Sequence, residues 1–149
     1  DPKGYEVIAP HASDLGASLF PTLRQGSPSA DVTLLAFGGI LPFVERAAER
    51  LEREEELSVE VVSPSLLAPM PRRTLLSVLL KCKRIVVVEE SHHEFGVSAE
   101  LLANLAEAAF QGRVIRVGMA PVPIASARSL ERTQLPDEQA VMDAVLGLF

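Results

Sequence analysis

Tryptophan is absent from the 149 residues, tyrosine occurs once, and aromatics make up only 5%. A core without aromatic bulk must be filled by aliphatic side chains, and the supply is ample, because 48% of the chain is hydrophobic. Cysteine also occurs once, at Cys82, so no disulfide can form within the chain. That suits a reducing compartment and excludes a small fold stapled by disulfides. Positive charge is in deficit: 14 Lys and Arg stand against 20 Asp and Glu, a net charge of -6. Nucleic acids and anionic membrane surfaces attract basic faces, so neither is an expected partner. No apolar run approaches the ~20 residues of a membrane-spanning helix, and the first residues lack the apolar stretch of a signal peptide. The expected location is the cytoplasm or an organelle matrix. The chain opens Asp1-Pro2-Lys3 with no initiating Met, which points to a piece of a longer protein or a processed subunit. Histidine is scarce too, yet two of the three histidines, His92 and His93, are adjacent.

What is present is organised in two parts. Residues 1–30 read as an arm or linker, punctuated by Pro2, Pro10, Pro21, Pro28, Gly4, Gly16 and Gly26. Short strands are expected at residues 5–9 and 18–24, and Pro21 confines the second to a sheet edge. From Asp31 onward the chain alternates. VTLLAF (32–37) is an apolar run ending at Gly38-Gly39, and Leu41, Val44, Ala47, Ala48 and Leu51 then fall at helical spacing behind Pro42. VEVVS (59–63) reads as a strand, followed by a helix through residues 74–82. IVVVEE (85–90) is the next strand, and Leu101, Leu102, Leu105, Ala106 and Ala109 form a helical stripe. VIRV (114–117) follows, and after a Pro-containing connection Asp137 is placed to cap a last helix bearing Val141, Met142, Val145 and Leu148. Strands apolar on both faces, alternating with helices, predict a three-layer α/β fold with a mostly parallel sheet and right-handed crossovers, in one domain over residues 31–149.

Five stretches in order, DVTLLAFGG, VEVVSPSLLAPMP, RIVVVEE followed by GVSAELL, APVP and LERTQLP, resemble the transketolase C-terminal domain family. The member type they most resemble is the beta subunit of the thiamin-diphosphate-dependent decarboxylating component of 2-oxo-acid dehydrogenases. The family's D-V-T-[IL]-[VL]-x-[YF]-G falls on residues 31–38. Its G-G-[FY]-G-A-E-[IL] aligns without gaps on residues 95–101, with Gly96 and Ser98 at the second and third glycines. Pro2-Lys3-Gly4-Tyr5 is a loose match to the segment leading into such domains. The resemblance implies a five-stranded sheet with an antiparallel edge strand, for which residues 18–24 are the candidate. It implies an assembly role as well. Thiamin diphosphate, magnesium and the catalytic histidine contacts come mainly from other domains of such enzymes, leaving this chain with no catalytic, cofactor-binding or metal-binding residues of its own. The implied partners are other subunits or domains in a homo- or hetero-oligomer, a dimer first, and dihydrolipoyl acyltransferase. Departures are Ser63-Pro64-Ser65 where relatives carry Asp-Leu-Arg, and Pro71 in place of Asp. They bear on partner and subclass. The tail of a transketolase or a deoxyxylulose-phosphate synthase is a second reading, and a free-standing binding module for an anionic metabolite is a third.

Candidate site residues cluster where ligands favour open α/β sheets, at the carboxyl ends of strands near a reversal of strand order. There the Gly38-Gly39 turn is expected to face the stretch with Glu90, His92, His93, Gly96 and Ser98. The simplest reading is a solvated loop before a helix, with the histidines at a subunit contact. An anion held at the helix opened by Gly96–Ser98 is an alternative, and a metal site on His92, His93 and Glu90 or Glu94 is another. Adjacent loop histidines lack the i,i+4 or C-x-x-C spacing usual for metals. Gly38-Gly39 has no G-x-G-x-x-G around it and reads as a tight strand–helix turn. The acidic run at residues 52–56 reads as a solvated helix end, and Cys82 as a small core residue.

Overall fold

The VTLLA run becomes a strand buried at all five positions, and the rest of the sheet is assembled around it. The computed structural model describes residues 4–149, so the Pro2-Lys3 part of the leading motif lies outside the described residues. In chain order the strands are β1 (Glu6–Ile8), β2 (Thr22–Gln25), β3 (Val32–Ala36), β4 (Val59–Pro64), β5 (Arg84–His92) and β6 (Arg113–Met119). The helices are α1 (Leu41–Glu54), α2 (Arg72–Leu79), α3 (Val97–Glu107), α4 (Arg128–Gln134) and α5 (Glu138–Leu146). The described residues form one six-stranded sheet in the order β1-β2-β4-β3-β5-β6. The last four in that order pair in parallel, while β2 runs antiparallel to β4 and β1 antiparallel to β2.

A short strand is found within residues 5–9 as expected, and two details differ from what the resemblance implies. The sheet has a sixth strand, and the antiparallel strand beside β4 is not the edge. Pro21 sits one residue before β2, where its carbonyl accepts from Ser65 N at 3.1 Å. With the proline outside, every N–H of Thr22–Gln25 is available to a ladder, and β2 pairs on both sides. The edge falls to β1, three residues long and tied to its neighbour by an Arg24–Glu6 ion pair of 2.6 Å. A short, charged edge discourages pairing with other chains.

Register explains the layering. Leu34 stands between Val61 and Val86, and these side chains belong to the core shared with α1 and α5. Leu35 stands between Val62 and Val87, in the core covered by α2 and α3. One residue of offset therefore selects the face. Pro42 falls in the first turn of α1, where a missing N–H costs nothing. Asp137 Oδ1 accepts from Ala140 N at 2.8 Å and caps α5. Helix α2 ends before Cys82, whose buried thiol donates to Arg84 O at 3.2 Å. Helix α4 has no counterpart in the sequence reading: none of its residues is buried, so it carries no apolar stripe to betray it.

One core position is acidic. Glu60, 1% exposed in mid-β4, accepts from Thr33 Oγ1 at 2.9 Å, while its Oε1 has no hydrogen bond and lies 3.9 Å from Arg24 Nε. Burial raises its pKa above the usual 4.5, against the lowering by Thr33 and Arg24. The folded state thus favours the protonated form. That contribution to stability is complete below pH 4.5 and is lost as the pH rises through the higher folded value. Glu60→Gln keeps the shape and removes the charge, so urea midpoints should show the variant gaining on the parent chain as pH rises from 4.5 to 8. Parallel pH curves for the two proteins would refute this.

Candidate functional site

Near its end strand β5 carries two adjacent glutamates, Glu89 and Glu90, and the pleat sends them to opposite faces. Val86 and Val88 point to the α1 side, Val87 to the α3 side. Glu90 continues the first set and Glu89 the second, and each glutamate builds a different site.

On the α1 side, β3 is followed by Phe37 and by Gly38, at φ +73, and a 3₁₀ turn over Gly38–Ile40 leads into α1. Glu90 lies against this turn: a Cβ on Gly39 would come within 3.0 Å of Glu90 Oε1. Glycine here makes room for the carboxylate. Beyond it a cleft of about 340 Å³ is lined by Ile40, Phe43, Glu90, Arg132, Leu135, Pro136 and Asp137. It sits between β3 and β5, at the reversal of strand order, because β3 leads to β4 on one side while β5 returns on the other.

On the α3 side, Glu89 is 1% exposed and its carboxylate is the hub of a polar cluster. Oε1 accepts from Ser98 N at 3.3 Å and from the Ser98 hydroxyl, and Oε2 accepts from Ser91 Oγ at 2.6 Å. Arg116 Nη1 donates to Ser98 Oγ at 3.5 Å and to His93 O at 2.9 Å. The carboxylate thereby takes an open N–H at the start of α3, the place an external anion would occupy. Gly96 is required by the same geometry, since a Cβ there would stand 2.6 Å from Glu89 Oε2 and nearer still to Oε1.

The histidines go elsewhere. The pairing of β5 with β6 is irregular between Val88 and His92, and β5 extends through His92 rather than ending before it. His92 Nε2 bonds Val122 O at 3.0 Å, and His93 N donates to Met119 O at 2.8 Å. Of the seven residues singled out in the sequence, Gly38, Gly39 and Glu90 meet at the cleft. Gly96 and Ser98 belong to the Glu89 cluster, while His92 and His93 fix the end of β5 against the strand-β6 exit. Arg132, Leu135 and Pro136 are not among the seven, although the LERTQLP motif contains them. The signal lies in the motif, but nothing in its spacing places it beside β3. Among the described residues no group of three or more His, Cys, Asp or Glu side chains is arranged to hold a metal ion. No helix of the described residues is long and apolar enough to cross a membrane.

In the loop between β5 and α3, Phe95 is 99% exposed and adopts φ +59, a left-handed conformation that L side chains disfavour. Val122, Ile124 and Leu130 are exposed apolar residues of the segment that His92 touches and of α4 beyond it.

Comparison with known proteins places these features in context. The model of "Transketolase, C-terminal domain" matches residues 22–141. The pyruvate dehydrogenase E1 component subunit beta-1, mitochondrial, of Arabidopsis thaliana is 36% identical over 117 residues, covering 76% of this chain and 32% of that subunit. The corresponding subunit of Leifsonia xyli subsp. xyli is 35% identical over 147 residues, covering 97% of this chain and 42% of that subunit. The chain thus spans 32% and 42% of the length of these two relatives. Among solved structures, a split gene transketolase described as an inactive beta4 tetramer superposes with TM-score 0.72 at 22% identity, over 99% of this chain and 43% of that one. A 2-oxoglutarate:ferredoxin oxidoreductase from Magnetococcus marinus superposes with TM-score 0.60 at 20% identity, over 85% of this chain and 19% of that one. At such identities the two structures speak for the fold.

Proposed function

The chain belongs to the transketolase C-terminal domain family, and from that premise we infer that it is the assembly domain of a thiamin-diphosphate-dependent 2-oxo-acid dehydrogenase, of the beta-subunit type of the decarboxylating component. The observation that carries this is the 36% identity over 117 residues to a pyruvate dehydrogenase E1 beta subunit. In this reading the cofactor, its magnesium and the proton-transfer groups come from elsewhere in the parent enzyme. This chain holds subunits together in a homo- or hetero-oligomer and offers a surface to the dihydrolipoyl acyltransferase. The parent resides in the cytoplasm or in an organelle matrix, and the Arabidopsis relative is mitochondrial. The stretch before Asp31 connects the domain to other parts of the enzyme while contributing β1 and β2 to its sheet.

The exposed apolar side chains support an associating surface. Exposed apolar side chains are the material of interaction sites, and Phe95, 99% exposed, is the most accessible of them. Two measurements test the reading. The 149-residue chain, supplied with thiamin diphosphate and magnesium, should show no decarboxylation of 2-oxo acids, and detectable turnover would overturn the assignment. In sedimentation it should self-associate as its concentration rises toward millimolar, whereas a strict monomer at that level contradicts an assembly role.

Phe95→Gly separates the two contributions of that residue. Glycine accepts φ +59 without strain, so the folded state should gain about 1 kcal/mol in urea denaturation, somewhat offset by the freer unfolded chain. Self-association should weaken at the same time. A variant that is more stable and equally associated would remove Phe95 from the interface.

A further inference from the structure

The cleft beside Glu90 at the end of β5 has a specific chemistry. Glu90 and Arg132 line it from different elements, one at the end of β5 and one on α4. Among the described residues neither has a hydrogen-bond or ion-pair partner. Other charged side chains of the neighbourhood are engaged: Asp137 caps α5, Glu138 binds Arg46 at 3.1 Å and Arg50 at 3.0 Å, and Glu54 binds Arg50 and Arg53. An unpaired carboxylate and an unpaired guanidinium therefore share one concavity. Between them the wall is apolar, built from Ile40, Phe43, Leu135 and Pro136.

The lining discriminates among ligands. Two carboxylates against one guanidinium disfavour a simple anion. A divalent cation lacks a third donor, since among the described residues no metal-holding group exists. A neutral apolar molecule would bury both charges unpaired, at a cost. A ligand carrying one carboxylate and one ammonium on a short apolar body satisfies everything at once. The volume, about 340 Å³, is at the small end of the ~300–1,000 Å³ range of ligand clefts.

We propose that this cleft is a binding site for a free α-amino acid with an aliphatic or aromatic side chain. Arg132 receives the carboxylate, Glu90 receives the ammonium, and the side chain lies on Ile40, Phe43 and Leu135. Gly39 is a positioning residue. A Cβ there, 3.0 Å from Glu90 Oε1, displaces the carboxylate from the mouth of the cleft. The site stands independently of the assembly role, because its readout is binding of a small molecule rather than oligomeric state.

The test is calorimetry and ligand-observed NMR on the intact protein, with L-leucine and L-phenylalanine as probes. N-acetyl-L-leucine and L-leucinamide serve as arms that each lack one charge. Binding of both amino acids is expected, with each single-charge analogue at least tenfold weaker. Glu90→Gln and Arg132→Gln replace exposed side chains that hold nothing else in the fold, so both variants should fold and each should lose at least tenfold in leucine affinity. In Arg132→Gln, leucine and leucinamide should bind alike, because the group that told them apart is gone. Absence of any saturation transfer at millimolar leucine or phenylalanine overturns the proposal. So does equal binding of the acetylated analogue, or unchanged affinity in both variants.

Discussion

Glu89→Ala is expected to cost about 3 kcal/mol of folding stability, a large effect for one strand-end residue. The loss has a definite source. Removing the carboxylate strands Ser98 N and leaves the hydroxyls of Ser98 and Ser91 to find new acceptors in a space that is 1% exposed at its centre. A buried donor left without an acceptor costs about 1–3 kcal/mol, and Ser98 N is such a donor in the first turn of α3. Gly96→Ala attacks the same cluster from the other side, because the added methyl would stand 2.6 Å from Glu89 Oε2. It should cost about 2 kcal/mol, the scale of overpacking in a close-packed site. The two losses are not independent. With the Glu89 carboxylate already removed, the methyl introduced by Gly96→Ala has room, and the double variant should be more stable than the sum of single losses by at least about 1 kcal/mol. Urea denaturation followed by circular dichroism gives all four values, and strict additivity would show that Gly96 is needed for something other than the carboxylate.

This cluster also shows where sequence reading succeeds and where it stops. The strands are legible because each is apolar at nearly every position, as β3 and the first half of β5 are. The parallel order follows from the helices between them. The end of β5 is harder. Glu90, His92, His93, Gly96 and Ser98 are close in sequence, and that proximity suggests one crevice. The pleat, however, alternates faces, and the irregular pairing near His92 turns the chain once more. The result is two sites, back to back, with the histidines anchored at neither. Glu89, the most connected residue of the region, draws no attention because it reads as one more strand residue. Ser98 stands where the family motif has glycine, and its hydroxyl adds a donor to the buried carboxylate. Arg132 is illegible for a different reason: α4 buries nothing, so no periodicity announces it, and the cleft it shares with Glu90 exists only in three dimensions.

Leu34→Ala should be the most damaging single truncation in the core, at about 2–5 kcal/mol. The side chain is fully buried, and its strand is fixed by parallel ladders on both sides, to Val61 of β4 and Val86 of β5. Strands held in that way cannot close on a void, so the cavity persists and the cost falls toward the upper part of the range. Against a total stability of about 5–15 kcal/mol, that loss brings the domain near its unfolding threshold. Leu130→Ala is the control. Leu130 is 58% exposed on α4, and its truncation should stay within about 0.5 kcal/mol. The contrast has a functional side, since β3 and β5 carry Gly38, Glu89 and Glu90 at their ends. Hydrogen exchange on Leu34→Ala should therefore show protection lost at Ser98 N together with the amides of β3, as one cooperative unit. Loss confined to β3, with Ser98 N still protected, would mean that the Glu89 cluster is held by α3 alone and not by the sheet beneath it.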